Sequence, residues 1–346
     1  MKAEFRATTP ADAGSIAAFL GRVFEARQGE PIVDPGMMEW KYWKERPGWQ
    51  GSRSFVLERG GSIVAHGAAW PAKILSAEEI PCFFLIDWAA SSDFPGAGVS
   101  IMKHMAQRVP VNFVYGGTEI ARKMRFAMGY RPRNDVQTLA LPLRPLRQIL
   151  TSHRWNWKTP ARLARNLLWS RRKPVLANPW RAQPVDPLKI GGSSVRWPGR
   201  NSHRLTLERN PELFEYLSDC PVAPGAFCLA MRGSEPAGYF CLTFPPGQAR
   251  IADAWIASSR IEDWIQCYAL AVEQACARPG VNEVTAAAAS EIALTALGKC
   301  GFRIRARDAV QLYDPQKHVP PDLPLDVQLI DGDAAFRNSA GPDYLT

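Results

Sequence analysis

In the opening 145 residues, stretches where apolar positions recur every second residue are interleaved with stretches where they recur every third or fourth. Residues 4–8 (EFRAT) alternate as a short strand, and the turn TPADAG follows. Over 15–27 the apolar residues Ile16, Phe19, Leu20 and Phe24 fall on one helical face. The segment MMEWKYWKERPGW reads as a second short helix ended by Pro47-Gly48. Residues 54–58 and 62–74 are strands flanking Gly60-Gly61, a hairpin signal. Residues 81–90 (PCFFLIDWAA) are almost continuously apolar, as a central strand covered on both faces should be. The loop DFPGAGVS then leads into a helix, IMKHMAQRV. A buried strand at 111–115, a helix at 118–128 stopped by Gly129, and a strand at 137–141 complete the pattern.

The same order returns in the second half. A helix carries Phe214 and Leu217, and strands are predicted at 226–231, 238–243 and 250–256. A helix at 261–277, a strand at 281–286, a helix at 290–300 stopped by Gly301, and a strand at 309–313 follow. The repeat is carried by residues as well as by order. Thr118-Glu119-Ile120-Ala121 precedes Gly129-Tyr130, and Ser290-Glu291-Ile292-Ala293 precedes Gly301-Phe302 at the same separation. A glycine after a helix is ordinary capping, but the matching flanks point to a duplicated unit. An α+β architecture of two similar units follows.

Composition narrows the class. At 346 residues, with 46% hydrophobic and 22% charged residues, the chain has the makings of a globular protein with two cores. No apolar run reaches the roughly 18 residues of a membrane span. The N-terminus lacks an apolar leader segment, so a cytoplasmic protein is expected. The seven cysteines, Cys82, Cys220, Cys228, Cys241, Cys267, Cys276 and Cys300, show no CxxC pair and no histidine at zinc spacing. They predict reduced, mostly buried thiols and no metal site.

The richest chemical signal is the strand–loop–helix at 83–105. Glycines in a loop that opens a helix let main-chain amides approach a diphosphate, and the helix dipole favours its charge. The residues LIDWAASS followed by DFPGAGVSIMKHM resemble the acetyl-CoA loop of the GNAT (N-acetyltransferase) superfamily. That loop usually reads Arg/Gln-x-x-Gly-x-Gly/Ala; Pro95, Gly98 and Ser100 stand at its three marked positions here. Glu39-Trp40-Lys41-Tyr42 with Pro47-Gly48 resembles a helix of GNAT proteins linked to surface-polysaccharide clusters, and Gly129-Tyr130 and Gly301-Phe302 resemble the family's "Gly-Phe" close.

The resemblance implies two tandem GNAT-like domains, each a mixed, mainly antiparallel twisted sheet flanked by helices. The first, acyl-CoA-binding, would span 1–145. A basic connector would span 146–200, a degenerate second domain lacking the glycine loop 201–315, and a tail 316–346. It further implies acetyl-CoA or another acyl-CoA as substrate. The pantetheine would lie along Trp88, Ala89 and Ala90, and the phosphates on the amides of Gly96, Ala97, Gly98, Val99 and Ser100. Direct attack by an amine on the thioester needs a base within hydrogen-bond reach; Asp87 and Glu119 are the candidates, with Glu39 third. Arg125 stands where the family often has a tyrosine acid, four residues before the closing glycine, and Leu297 stands there in the second unit. Arg125 can steady a thiolate but not protonate it.

The resemblance thus implies an N-acyltransferase acting on a small-molecule amine or amino sugar. A FemAB-like aminoacyl transferase and a non-catalytic, GNAT-derived scaffold at a membrane surface are the other readings. Among the histidines, His66 on the third strand reads as a satisfied core residue and His104 as a packing residue.

The net charge of +9 is concentrated in one place. From Val136 to Val185 there is no acid, while Arg144, Arg147, Arg154, Lys158, Arg162, Arg165, Arg171, Arg172, Lys173 and Arg181 are all basic. Thr159-Pro160 opens an amphipathic helix bearing Leu163, Leu167 and Leu168, with Trp155, Trp157 and Trp169 nearby. Our preferred reading is a connector whose leucines pack on the body. The alternative is contact with an anionic membrane through 144–181, placing the protein at the periphery of the inner membrane. No motif supports a nucleic-acid partner. Asp331-Gly332-Asp333 lacks calcium-loop spacing and reads as a turn.

Overall fold

The computed structural model describes residues 3–26, 30–152, 156–172, 174–190, 195–337 and 341–346. His153, Arg154, Trp155 and Lys173 lie outside the described residues. The first half contains strands β1 (Glu4–Ala7), β2 (Ser54–Arg59), β3 (Ser62–Leu75), β4 (Glu79–Ala90), β5 (Val111–Val114) and β6 (Arg131–Pro142). Its helices are α1 (Ala13–Phe24), α2 (Pro35–Met38), α3 (Ala97–Ala106) and α4 (Glu119–Ala127). The basic stretch forms α5 (Pro145–Thr151), α6 (Thr159–Trp169), β7 (Trp180–Pro184) and α7 (Pro187–Ile190). The second half contains β8 (Thr206–Leu207), α8 (Pro211–Ser218), β9 (Ala226–Arg232), β10 (Glu235–Thr243), β11 (Gln248–Ile256), α9 (Ile261–Ala277), β12 (Glu283–Ala288), α10 (Glu291–Lys299) and β13 (Arg303–Tyr313).

Among the described residues the strands form one sheet, ordered β1-β2-β3-β4-β5-β13-β6-β12-β11-β10-β9-β7, with β8 against β3. Neighbours are antiparallel except for β4–β5 and β11–β12, so the sheet is mixed and mainly antiparallel. The halves are joined by an exchange: β6 pairs with β12 of the second half, β13 pairs with β5 of the first, and β6 and β13 pair with each other. Each final strand thereby satisfies hydrogen bonds that would otherwise sit on an exposed sheet edge. Pairing on both edges also explains why β6 and β13 extend beyond the 137–141 and 309–313 that apolar patterning picks out.

The matching helix ends are built alike. Gly129 and Gly301 have φ of 103° and 93°, the left-handed region that glycine adopts without strain. The next residue closes the turn in both cases, Tyr130 N–H on the Arg125 carbonyl and Phe302 N–H on the Leu297 carbonyl, each at 3.1 Å.

Two expectations need correcting. The MMEWKYW segment is not one α-helix running to Pro47. The short α2 passes into a π-helical turn, Glu39–Trp43, which ends with Lys44 N–H donating to the Glu39 carbonyl at 2.8 Å. Buried Arg53 fixes the wider turn by donating to the carbonyls of Trp40, Lys41 and Lys44. On α6, Leu167 and Leu168 are exposed and Leu163 is half-buried, while Thr159 and Asn166 are the buried positions. Those leucines therefore do not pack on the body. The seven cysteines are free thiols, six of them buried. No helix among the described residues is long and apolar enough to cross a membrane, and no group of three or more potential metal ligands occurs among them.

Candidate active site at the fork between β4 and β5

The parallel strands β4 and β5 are paired only from Cys82–Val111 to Phe84–Phe113. Beyond Phe84, β4 runs on to Ala90 still bonded to β3, and no strand among the described residues pairs its other edge. The two strands thus part like a fork. A bulge lies on the upper arm: His66 faces Ala89 while Ala68 faces Ile86, leaving an extra residue on β4. Asp87 sits in this bulge with φ of 47°, a conformation unusual for a residue with a side chain.

Helix α3 begins beside the arm. Gly96 is left-handed at φ 88° with open space where a Cβ would stand. A Cβ on Gly98 would approach Ala90 to 3.2 Å and the Trp88 indole to 3.4 Å, and Trp88 Nε1 donates to the Gly98 carbonyl at 3.1 Å. The helix start packs closely on the strand end, so a side chain at Gly98 would press on Ala90 and Trp88. Ser100 N–H bonds back to the Gly96 carbonyl, whereas nothing among the described residues accepts from the amides of Gly98 and Val99. Such free donors are the usual state of a helix's first turn.

The fork is lined by a buried charge cluster. Asp87 accepts from Lys41 Nζ at 2.5 Å and from the Tyr42 hydroxyl at 2.8 Å, both groups supplied by the π-helical turn. Lys41 also holds Asp333 at 2.9 Å, and Arg337 reaches Asp333 at 3.1 Å. Burial works against the Lys41 ammonium, but Asp333 and Asp87 outweigh it and hold its pKa above the ordinary lysine value. At the fork two polar atoms remain without a hydrogen bond: Asp87 Oδ1, which lies 3.9 Å from the Arg337 guanidinium, and the hydroxyl of Tyr115 just past β5. Tyr115 packs on Phe84, ring centroids 5.0 Å apart, at the point where the strands separate. Burial, then the carboxylates of Asp331 and Asp333, push its phenol well above the usual tyrosine range.

The predicted site residues fall in different surroundings. Trp88, Ala89, Ala90 and the stretch Gly96 to Ser100, with Ala97 buried, meet at the fork together with Asp87. Glu119 is exposed on α4 and pairs with Lys123 at 2.7 Å. Glu39 is also exposed. Arg125 is buried, donating from Nε to Gln311 on β13 at 2.7 Å and from Nη2 to the Gly116 carbonyl at 2.7 Å. It ties the exchanged strand to the turn after β5. No hydrogen bond or ion pair among the described residues joins Asp87, Glu119 and Arg125. His66 is a satisfied core residue, its Nδ1 on the Asp87 carbonyl at 2.8 Å and its Nε2 on Ser54 Oγ at 2.9 Å. Burial lowers its pKa, keeping the ring neutral. His104 stacks on Phe5. Sequence reasoning missed Lys41, Tyr42, Tyr115 and Asp333 as members of the site; EWKYW was noticed only as a helix.

Solved structures with a similar fold are numerous. A GCN5-related N-acetyltransferase from Anabaena variabilis aligns over 90% of this chain and 73% of its own, with a TM-score of 0.58 and 14% identity. The N-myristoyltransferase of Saccharomyces cerevisiae with bound myristoyl-CoA aligns over 90% and 83%, with a TM-score of 0.59 and 10% identity. A conserved protein of unknown function from Enterococcus faecalis V583 aligns over 90% and 72%, with a TM-score of 0.56 and 9% identity. The chain has the GNAT fold. No family model matches it, and no protein of curated function matches it in sequence, so the likeness is one of structure.

The fork between β4 and β5 has a counterpart in the second half. Strands β11 and β12 are paired in parallel from Gln248–Glu283 to Ile251–Ala286, and β11 then runs on to Ile256. Here the gap is filled. Gln328 bridges to Ala288 through the main chain, while its side-chain amide accepts from Ala254 N–H at 2.9 Å and donates to the Ala254 carbonyl at 3.0 Å. Asp253 on β11 is held by Arg209 through both oxygens, at 2.9 and 3.2 Å, and by the Tyr239 hydroxyl at 2.9 Å. Arg209 in turn holds Asp331 at 2.8 Å. The Asp331-Gly332-Asp333 segment is therefore more than a turn: its two buried aspartates bind one buried cation in each half, Arg209 and Lys41.

Proposed function

We propose that this chain is an acyl-CoA-dependent N-acyltransferase whose thioester lies in the fork between β4 and β5. The observation that carries the reading is the open arm of β4, ending beside a glycine-started helix and flanked by two buried polar atoms without partners. The free edge at Trp88 to Ala90 suits the amides of a pantetheine, which would bond there as an added strand does. The uncapped amides of Gly98 and Val99 suit a diphosphate. One of the structural neighbours holds myristoyl-CoA, which agrees with a CoA thioester as donor. An acetyl or longer acyl group is transferred to the amine of a small molecule or amino sugar, in the cytoplasm. In this reading residues 1–145 bind the donor, and 201–315 close the site as a degenerate copy joined by the basic connector at 146–200.

In the reaction the acceptor nitrogen bonds to the thioester carbonyl carbon, the carbon–sulfur bond breaks, and the amine loses a proton. Asp87 Oδ1 is the free lone-pair site for that proton, its other oxygen being held by Lys41 and Tyr42. The Tyr115 phenol, kept protonated by its surroundings, supplies a proton to the departing thiolate. The proton on Asp87 then restores the phenol. Arg125, four residues before Gly129, positions the β5 turn that carries Tyr115 and does not touch the reactants.

Release of free CoA thiol from acyl-CoA thioesters, measured against a panel of amines, tests this reading. Amine-dependent release is expected, falling about a hundredfold in Asp87→Asn and in Tyr115→Phe with donor binding retained. Release unchanged in both variants would refute the assignment of these residues, and no amine-dependent release from any thioester would refute the function.

A further inference from the structure

Helices α5 and α6 bury polar side chains and expose several of their large apolar ones. Gln148 and Asn166 are buried and bonded to each other at 3.2 Å, and Gln148 also donates to Thr346 at 2.8 Å and to Glu283 at 3.3 Å. Six large apolar side chains of the same stretch, Leu146, Leu150, Trp157, Leu167, Leu168 and Val175, are between 41% and 85% exposed. Leu146 and Leu150 are one turn apart on α5, and on α6 Leu168 follows exposed Ala164 by one turn, so each helix presents an apolar stripe. This is the reverse of a helix that packs its stripe on a core.

Along this stretch of chain the charge is of one sign. The sequence from 136 to 185 contains no acid. Arg147, Lys158, Arg171 and Arg172 are exposed, Arg162 and Arg165 half-buried, and none of the six forms an ion pair among the described residues. Arg165 and Lys158 instead lie over the rings of Trp169 and Trp157, at 4.5 and 5.1 Å. Nucleic acid would neutralise the cations but leave the leucines in water. A surface that offers hydrocarbon beneath a layer of negative headgroups serves both.

We propose that α5 and α6, with Trp157, Lys158, Arg171 and Arg172 beside them, dock on an anionic lipid surface. The exposed leucines and Trp157 enter the headgroup–acyl boundary, and the arginines and Lys158 lie among the phosphates. The inference stands apart from the acyl-transfer reading, because none of these residues lies at the fork.

Co-sedimentation of the full chain with phosphatidylcholine vesicles, with and without about one third phosphatidylglycerol, is the test. Binding at least about tenfold stronger to the anionic vesicles is expected, weakening with salt. Replacing Leu146, Leu150 and Leu168 together by Gln should lower binding about tenfold or more while leaving Tm unchanged, since the three are exposed in the fold. Arg171→Glu with Arg172→Glu should weaken binding to anionic vesicles only. Equal binding to both vesicle types, no binding to either, or wild-type binding by the triple variant would overturn the proposal. So would tighter binding to duplex DNA or RNA than to the anionic vesicles.

Discussion

At the ends of β4 and β11 the chain makes the same moves. A strand leaves its parallel neighbour, an aspartate on it is buried against a cation, and that cation also holds an aspartate of the 331–333 segment. The two forks differ in what is left over. In the second, both oxygens of Asp253 are bonded and the Gln328 amide occupies the main-chain groups of Ala254. In the first, Asp87 Oδ1 and the Tyr115 hydroxyl lack hydrogen bonds, and the β4 edge beyond Phe84 is unpaired. Buried polar atoms are nearly always satisfied in folded proteins. At the first fork two unsatisfied ones stand beside an unpaired strand edge. At the second, the aspartate and the β11 main chain at Ala254 are satisfied from within the chain, and the buried atom without a hydrogen bond is Ser290 Oγ, just past β12. In the function proposed above, Gln328, with its side-chain amide set against the β11 main chain, takes the place that the donor's amide would take at the first fork.

Breaking the sealed side should have the largest effect on stability. Arg209→Ala leaves Asp253 and Asp331 buried without their cation and should cost about 3–5 kcal/mol in denaturant unfolding. Arg337→Ala, on the open side, should cost under about 1 kcal/mol, because its side chain is 61% exposed and its pairing with Asp333 is screened by solvent.

A smaller effect is expected at Asp326, which burial pushes up to about 6, with Arg204 offsetting only part of this. A raised carboxyl pKa means that the fold prefers the protonated form. The group's contribution is complete below the unfolded value near 3.8 and is lost as pH rises through about 6. Stability of the wild type relative to Asp326→Asn should therefore fall by about 2–3 kcal/mol between pH 4 and about 6.5, read from urea midpoints at each pH. A flat difference would show that burial does not hold this carboxyl in its protonated form.

Gln328→Ala should cost about 1–3 kcal/mol by leaving the Ala254 N–H and carbonyl without partners. It should not create a second donor site, because β11 is followed by Ala257-Ser258-Ser259-Arg260 rather than a glycine-bearing loop.

Much of the order of elements was legible from periodicity alone. Helix α9 coincides with the apolar pattern at 261–277, and the two glycine stops are used as read. Local signals of this kind depend on neighbours a few residues apart. The exchange of β6 and β13 depends on pairing between residues such as Leu141 and Val284, far apart in the chain, and nothing in either strand announces its partner. The site was legible in part for the same reason. Asp87 and the glycine loop are contiguous in sequence, whereas Lys41, Tyr115 and Asp333 come to the fork from three distant segments. Arg125 was weighed as an electrostatic aid because of its place in a motif; its partners, Gln311 and the Gly116 carbonyl, are visible only in the folded chain. The leucines of α6 were expected to pack because helical spacing reveals a stripe but not the direction in which it faces.

The asymmetry of the forks is tested most directly by calorimetric titration of the chain with acetyl-CoA and a long-chain acyl-CoA, beside Ser100→Glu. An acid in the first turn of α3 favours the helix but repels a diphosphate. One site per chain is predicted for the wild type, with affinity reduced at least about tenfold in Ser100→Glu and Tm not lowered. Two equivalent sites, or a single site indifferent to Ser100→Glu, would contradict the account.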